Sequence, residues 1–234
     1  MLLSFLRFLR RPHLDAAADS SSVSRPLLLV WLLVFAFLAT AIFALLALPL
    51  LLISDVTIGE NLRRVSNQSV LPLLIALIVL GPLLEEMIFR GWLTGTYQGM
   101  FGAALFLGIV YGAAFVVKGS GDETMHVAVQ IGASAAALLI FTMIERLGTP
   151  ARPRLYKTLF PYLFWLQGLV FGGLHFANLV GSTFAVPLLM TAPLVICGWL
   201  FGYVRMVAGF GSAWLLHALY NLPSAVGAVL LSRL

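Results

Sequence analysis

The chain has 234 residues, of which 61% are hydrophobic and only 10% are charged, and its mean hydropathy is +1.03. Soluble domains carry about 25% charged residues, so this composition excludes an ordinary soluble domain. It predicts an all-α fold, a polytopic membrane helical bundle with about seven transmembrane helices of roughly 20 residues each. The net charge of +5 comes from basic residues in short segments, which indicates membrane topology and not nucleic-acid binding.

Residues 1–26 are predicted to form a basic N-terminal tail. Its first residues alternate leucine and phenylalanine with Arg7, Arg10 and Arg11, which is the pattern of a short amphipathic helix on an anionic membrane surface. A disordered cytoplasmic tail is the alternative. The remainder, 27–234, is predicted to be the transmembrane domain of a multi-pass protein of the cell membrane, with the bilayer as its partner.

Seven apolar stretches predict the transmembrane helices, at about 27–53, 70–93, 101–117, 127–147, 158–179, 183–204 and 212–230. Four of these stretches separate the basic tail from the basic loop 148–157, so both segments can lie on one side of the membrane. Because Lys and Arg mark the cytoplasmic side, we expect a cytoplasmic N-terminus and an external C-terminus.

The second predicted helix ends in GPLLEEMIFRGW, residues 81–92. Glu86 and Arg90 are one turn apart and share a face, whereas Glu85 points about 100° away. Arg90 can therefore neutralise Glu86 and leave Glu85 for chemistry, although an interfacial ion cluster is the structural alternative. Pro82 should interrupt the helical hydrogen bonds, free a backbone carbonyl and help to shape a cavity.

Two further polar groups lie on apolar stretches downstream. His175 follows Phe171 by one turn and precedes Asn178, and His217 precedes Asn221 by one turn. Each has a structural alternative, a histidine packed among aromatic residues in the first case and a polar contact between helices in the second. A single site that contains all three groups is the more economical hypothesis.

The depth of His175 is an open question at this stage. A helix rises about 1.5 Å per residue, and on the predicted topology His175 would lie further out than Glu85 and His217. Either the fifth helix starts later than residue 158, or residues 178–182 form a re-entrant turn inside the membrane.

The three segments resemble the motifs of the CPBP intramembrane endopeptidase family, which includes the type II CAAX prenyl proteases and the bacteriocin-processing and immunity proteins. The family pattern is Glu-Glu-x-x-x-Arg, then Phe-x-x-x-His, then His-x-x-x-Asn or Asp. All three motifs are complete here, in that order, and the resemblance covers about residues 70–230. The spacing between the first two motifs is longer than usual, because residues 101–157 hold two predicted helices.

The resemblance implies an endopeptidase that acts near the cytoplasmic membrane face. Glu85 would be the general base for a water that His175 helps to hold, and His217 and Asn221 would form an oxyanion site. The supporting residues would be Glu86, Arg90, Phe171 and Asn178.

The resemblance also implies a peptide or protein substrate, prenylated or not, and no cofactor. A zinc ion bound by two histidines and a glutamate is the alternative mechanism. A non-enzymatic membrane partner of the bacteriocin-immunity type and a proton-coupled transporter are the alternative functions.

Overall fold

The computed structural model describes residues 2–16, 24–52, 57–58, 70–119, 123–147, 151–176, 179–180 and 184–231, and these ranges confirm the predicted all-α fold. They contain eight helices. The helices are α1 (Leu2–Arg10), α2 (Arg25–Leu51), α3 (Val70–Arg90), α4 (Tyr97–Val117), α5 (Glu123–Arg146), α6 (Arg154–His175), α7 (Ala185–Ala208) and α8 (Phe210–Leu231).

Six of these helices, α2 to α5 together with α7 and α8, are long and apolar enough to cross a membrane. The chain is therefore a multi-pass membrane protein. The remaining long helix, α6, has 22 residues and also the length to span a bilayer, but it carries Gln167 and His175. It starts at Arg154 and not at residue 158, and it ends at His175 and not at residue 179, so the predicted bounds of the fifth helix were wrong at both ends.

Two short strands were not predicted. Thr57–Ile58 (β1) pairs antiparallel with Leu179–Val180 (β2). Part of the stretch considered as a re-entrant turn is therefore extended backbone, paired with the segment between α2 and α3. Strands of two residues carry too little pattern to be recognised in a sequence.

Helices α6 and α7 pack closely because glycines face each other. A Cβ atom on Gly198 would lie 2.8 Å from the Cα of Gly168, and one on Gly172 would lie 2.6 Å from the backbone nitrogen of Val195. Gly168 and Gly172 are four residues apart, the spacing with which membrane helices bring their backbones together. This contact places backbone carbonyls of α7 within reach of polar side chains from α3 and α6.

Two clusters of buried side chains form the core. The larger joins α1, α2, α6, α7 and α8, and the smaller joins the α4–α5 hairpin to α3 and α8. Helix α8 contributes buried residues to both clusters, and Phe89 of α3 packs against the larger one, so the residues that carry the first and third sequence motifs lie between the clusters. The α4–α5 hairpin corresponds to the long spacing between the first two motifs.

Helix α1 is folded against the bundle. Phe5 and Phe8 are buried and contact the ring of Tyr203, with centroids 5.5 and 5.2 Å apart, and Phe8 also contacts Phe164 at 4.9 Å. The prediction of an amphipathic helix was right for residues 2–10, and the disordered alternative was wrong there. Phe5 and Phe8 of α1 thus pack on protein, whereas Leu2, Leu3 and Leu6 are exposed.

The N-terminal tail and the basic loop lie at the same end of the bundle. Arg152 Nη1 lies 3.7 Å from Asp15 Oδ1, and Arg152 Nε donates to the Thr94 carbonyl at 2.9 Å. This arrangement is the one that four intervening spans predict. The assignment of that end to the cytoplasm stays a prediction based on its positive charge.

Helix α3 changes its hydrogen-bond pattern in the middle. Val70–Leu74 is α-helical, Ile75–Leu80 is a π-helix and Gly81–Arg90 is α-helical again. The Gly81 N–H donates to the Ala76 carbonyl, five residues earlier. In that pattern the Leu77 carbonyl would accept from residue 82, but Pro82 has no N–H. The backbone carbonyl that the sequence predicts to be free is therefore that of Leu77.

Candidate active site

Arg90 is the centre of a buried polar network in which three parts of the chain meet. Its Nη1 donates to Glu86 Oε1 at 2.6 Å, its Nε to Gln167 Oε1 at 3.1 Å and its Nη2 to the Gly198 carbonyl at 3.2 Å. Arg90 and Glu86 both have no exposed side-chain surface. The helical spacing of Glu86 and Arg90 predicts their contact, and the network fixes α3 to α6 and α7.

Gln167 and Gly198 are members of this network that the sequence analysis missed. Gln167 Nε2 donates to the Gly198 carbonyl at 3.1 Å, so that carbonyl accepts hydrogen bonds from two side chains. A buried glutamine in an apolar stretch needs partners, and Gln167 stands directly before Gly168, where α6 approaches α7. A glutamine beside a glycine in an apolar stretch was therefore the sequence signal that could have identified Gln167.

Phe171 connects the network to the histidines. Its ring lies under the Arg90 guanidinium, with 4.3 Å from Cζ to the ring centroid, which adds a cation–π contact to the ion pair. The same ring contacts His175 and His217, with centroids 4.9 and 5.6 Å apart. The second motif thus packs an aromatic ring against the first and the third.

Glu85 lies between two imidazole rings. Its Oε2 is 3.6 Å from His217 Nε2 and 3.9 Å from His175 Nε2. The Glu85 side chain is 34% exposed, but Oε2 itself is buried and, within the described part of the chain, has no hydrogen-bond partner. Glu85, His175 and His217 are therefore at one depth, which answers the question that the sequence left open.

The hydrogen bonds on the far side of each ring define which nitrogen faces Glu85. His175 Nδ1 is 2.7 Å from the Phe171 carbonyl, and a carbonyl can only accept, so Nδ1 carries the hydrogen. His217 Nδ1 is 2.9 Å from Glu86 Oε1, which also accepts from Arg90, so Nδ1 is again the donor. In the neutral rings both Nε2 atoms are then acceptors. Three acceptor atoms converge, and a proton or the hydrogens of a water are what would satisfy them.

The pairing of Glu86 with His217 gives Glu86 a second role besides neutralising Arg90. A carboxylate on one imidazole nitrogen orients the ring and stabilises its cationic form, as in a catalytic triad. His217 is also held by Phe201, whose ring stacks on it with centroids 4.5 Å apart and 20° between the planes. His217 is thus more firmly fixed than His175, the other imidazole beside Glu85 Oε2.

Asn221 lies one turn beyond His217 on α8 and contacts the π-helical part of α3. Its Nδ2 donates to the Leu77 carbonyl at 3.1 Å, the carbonyl that Pro82 leaves without a helical donor. One of the two amide hydrogens is used in this bond. Within the described residues, the Asn221 side chain forms no hydrogen bond with Glu85 or either histidine, so its place in an oxyanion site stays a prediction.

The end of α3 is held by Arg205, another residue that the sequence analysis did not assign to the site. Arg205 Nε donates to the Arg90 carbonyl at 3.0 Å and Nη2 to the Gly91 carbonyl at 3.3 Å, so it caps the last turn of α3. Glu145 of α5 forms an ion pair with the same guanidinium. The α4–α5 hairpin is thereby tied to the helix that carries both glutamates.

Two further predictions about this site are not tested by the geometry. Asn178 lies outside the described residues. The described residues contain no group of three or more His, Cys, Asp or Glu side chains that could hold a metal ion. Tetrahedral zinc ligands at about 2.1 Å from the metal would lie about 3.4 Å apart, somewhat closer than the two nitrogens lie to Glu85 Oε2.

Residues 67–151 match the family model described as type II CAAX prenyl endopeptidase Rce1-like. The match includes Glu85, Glu86 and Arg90 and ends before His175. No curated protein and no solved structure gives a significant match. The match confirms the resemblance that the sequence motifs indicate: this part of the chain is similar to the Rce1-like type II CAAX prenyl endopeptidases, in agreement with the CPBP family.

Proposed function

We propose that this protein is an intramembrane endopeptidase that hydrolyses a peptide bond near the cytoplasmic membrane face with a water activated by Glu85. The observation that carries the proposal is the convergence of Glu85 Oε2 with His175 Nε2 and His217 Nε2 at 3.9 and 3.6 Å. These distances are too long for direct hydrogen bonds, and a water beside the three atoms would bridge them.

In the proposed reaction Glu85 and His175 accept the two hydrogens of that water and orient its lone pair toward the scissile carbonyl. The water oxygen attacks the carbonyl carbon as its proton passes to Glu85. Collapse of the tetrahedral intermediate breaks the C–N bond, and Glu85 returns the proton to the leaving amine. Atoms and charge then balance, and Glu85 is again a carboxylate.

The oxyanion of the intermediate needs donors that face it. His217 can donate from Nε2 only when it carries a second proton, and the Glu86 carboxylate at Nδ1 stabilises that cation. Asn221 supplies its second amide hydrogen as a further donor. The buried Arg90 network supports Glu86 and thereby His217, so its role is to position the catalytic groups.

The proposed substrate class is a membrane-associated peptide or protein. Purified protein in lipid nanodiscs would be incubated with membrane proteins, and the new protein termini would be identified by mass spectrometry. We expect new termini with the native protein and none with Glu85→Gln, which keeps the shape of the side chain. If Glu85→Gln produced the same termini, Glu85 would not be the base. If neither protein produced termini but both retained the same binding protein, the non-enzymatic alternative would replace this proposal.

A peptide that ends in a farnesylated CAAX sequence tests the substrate named by the family model. The same peptide without the lipid is the matched control. Cleavage of the lipidated peptide alone would assign the prenylated class, and equal cleavage of both would assign recognition of the peptide without its lipid.

We propose that the reaction needs no metal ion, since Glu86 is engaged by Arg90 and His217. The purified active protein should contain no stoichiometric zinc, and treatment with a strong chelator should leave cleavage unchanged. Loss of cleavage on chelation, restored by zinc and not by magnesium, would make Glu85 a ligand and overturn the glutamate mechanism.

A further inference from the structure

A basic groove lies between α1 and α6, and no step of the proposed reaction uses it. We define the basic groove by Arg10, Arg11 and His13 of the N-terminal segment and by Tyr162 and Trp165 of α6, which line an open cavity of about 570 Å³. Cavities of about 300–1,000 Å³ are typical of small-ligand sites. The groove has the size to hold a ligand and is formed mainly by cationic and aromatic side chains.

The charge of the groove is strongly positive. A neighbouring cavity that shares His13 adds Arg152 and Lys157 to its wall. Among the described residues that line the two cavities, the carboxylate is Asp15, which is 86% exposed and lies 3.7 Å from Arg152. Four permanent cations therefore line the groove and the neighbouring cavity against one solvated carboxylate, and the ligand that fits this charge is an anion.

The arginines of α1 are presented by a fixed helix. Phe5 and Phe8, which are 1% and 3% exposed, pack into the core of the bundle and leave Arg7, Arg10 and Arg11 on the exposed side. The packing of α1 fixes the backbone from which these arginine side chains extend. A ligand therefore meets donors that are already in place and binds at a smaller entropic cost.

An apolar face continues from the groove along α6. Leu159, Tyr162 and Leu166 recur at helical spacing and are 40%, 73% and 53% exposed. A free phosphate or an acidic peptide would use the cations and leave this face uncovered. A phospholipid would contact both the cations and the apolar face. We infer that the basic groove binds the phosphate headgroup of an anionic membrane phospholipid, with its acyl chains along this face of α6.

The experiment counts lipids on the whole protein. The protein is purified in detergent, stripped of lipid and offered phosphatidylglycerol or phosphatidylcholine, and the bound lipids are measured by native mass spectrometry. We expect phosphatidylglycerol to bind the native protein more tightly. Since each basic residue near a membrane surface contributes roughly a factor of five to anionic-lipid affinity, the double change Arg10→Gln and Arg11→Gln should weaken phosphatidylglycerol binding by about 30-fold.

The matched control removes the same charge elsewhere. Lys118 and Arg146 are exposed and line neither cavity, so Lys118→Gln with Arg146→Gln should leave the lipid preference unchanged. Lys157→Gln, on α6, tests the groove independently if the α1 double variant does not fold. If the control pair weakened phosphatidylglycerol binding equally, the proposed site would be overturned, because the lipid preference would then depend only on the net charge of the protein. Full displacement of the lipid by inorganic phosphate or by an acidic peptide would overturn its assignment to phospholipid.

Discussion

The substitution Arg90→Ala tests the buried network most directly. It removes three hydrogen bonds and leaves the Glu86 carboxylate without its cation, in a position where Glu86 has no exposed surface and its Oε2 has no hydrogen-bond partner among the described residues. Removing one partner of a buried ion pair costs about 3–5 kcal/mol. Each kcal/mol lowers Tm by about 2–4 °C in a chain of this size, so we expect a decrease of about 6–20 °C.

The protein contains its own reporter for this measurement. Its single cysteine, Cys197, is fully buried and adjoins Gly198, whose carbonyl accepts from Arg90. A dye that becomes fluorescent on reaction with a thiol therefore reports the temperature at which this part of the bundle opens in detergent.

Two variants give the controls for Arg90→Ala. Arg146 is exposed at the end of α5, and Arg146→Ala should change Tm by less than about 2 °C, because surface substitutions change stability by about 0.5 kcal/mol or less. The double variant Glu86→Gln with Arg90→Met leaves no unpaired charge and should recover part of the loss. The network would not stabilise the fold if Arg90→Ala had the same Tm as the native protein. The same conclusion would follow if the Tm of the double variant were no higher than that of Arg90→Ala.

Three further outcomes are expected from the same assays. Glu85→Gln should reduce peptide cleavage by about 10²-fold or more at an unchanged Tm; a parallel fall in both would make Glu85 a structural residue. Asn221→Ala should cost about 1–3 kcal/mol, because it leaves the Leu77 carbonyl unpaired, and an unchanged dye-reported Tm would show that the carbonyl finds another donor. Glu145→Gln should lower Tm less than Arg205→Ala does, because it removes the ion pair with Arg205 but leaves the hydrogen bonds from Arg205 to α3. A larger decrease in Tm for Glu145→Gln would contradict this assignment of contacts.

The sequence predicts those features that depend on one helix at a time. Apolar stretches of about 20 residues define the membrane helices because a bilayer leaves few other solutions. The contact of Glu86 with Arg90 follows from the helical repeat. Pro82 predicts a free carbonyl because it lacks an N–H, although the register that identifies this carbonyl as Leu77 is visible only in the structure.

The features that could not be predicted depend on how helices pack. Gln167 and Arg205 read as isolated polar residues, and only the packing of α6 and α7 on α3 gives them partners. The depth of His175 could not be found by counting residues from the start of α6, because it depends on how that helix crosses α3. The paired strands are too short for any periodicity to appear.

The π-helix in α3 also affects the rotational position of the residues that follow it. A π-helical turn contains one more residue than an α-helical turn, and one residue corresponds to about 100° around the helix axis. The segment Ile75–Leu80 therefore turns the two carboxylates relative to Val70–Leu74 by an amount that a regular α-helix would not give. Deletion of a single residue such as Ile78 should restore a regular α-helix and leave Glu85 and Glu86 at their present azimuths relative to α8. The π-helical turn thus takes up one extra residue of the membrane span, whereas the pairing of Glu86 with Arg90 follows from their own α-helical spacing.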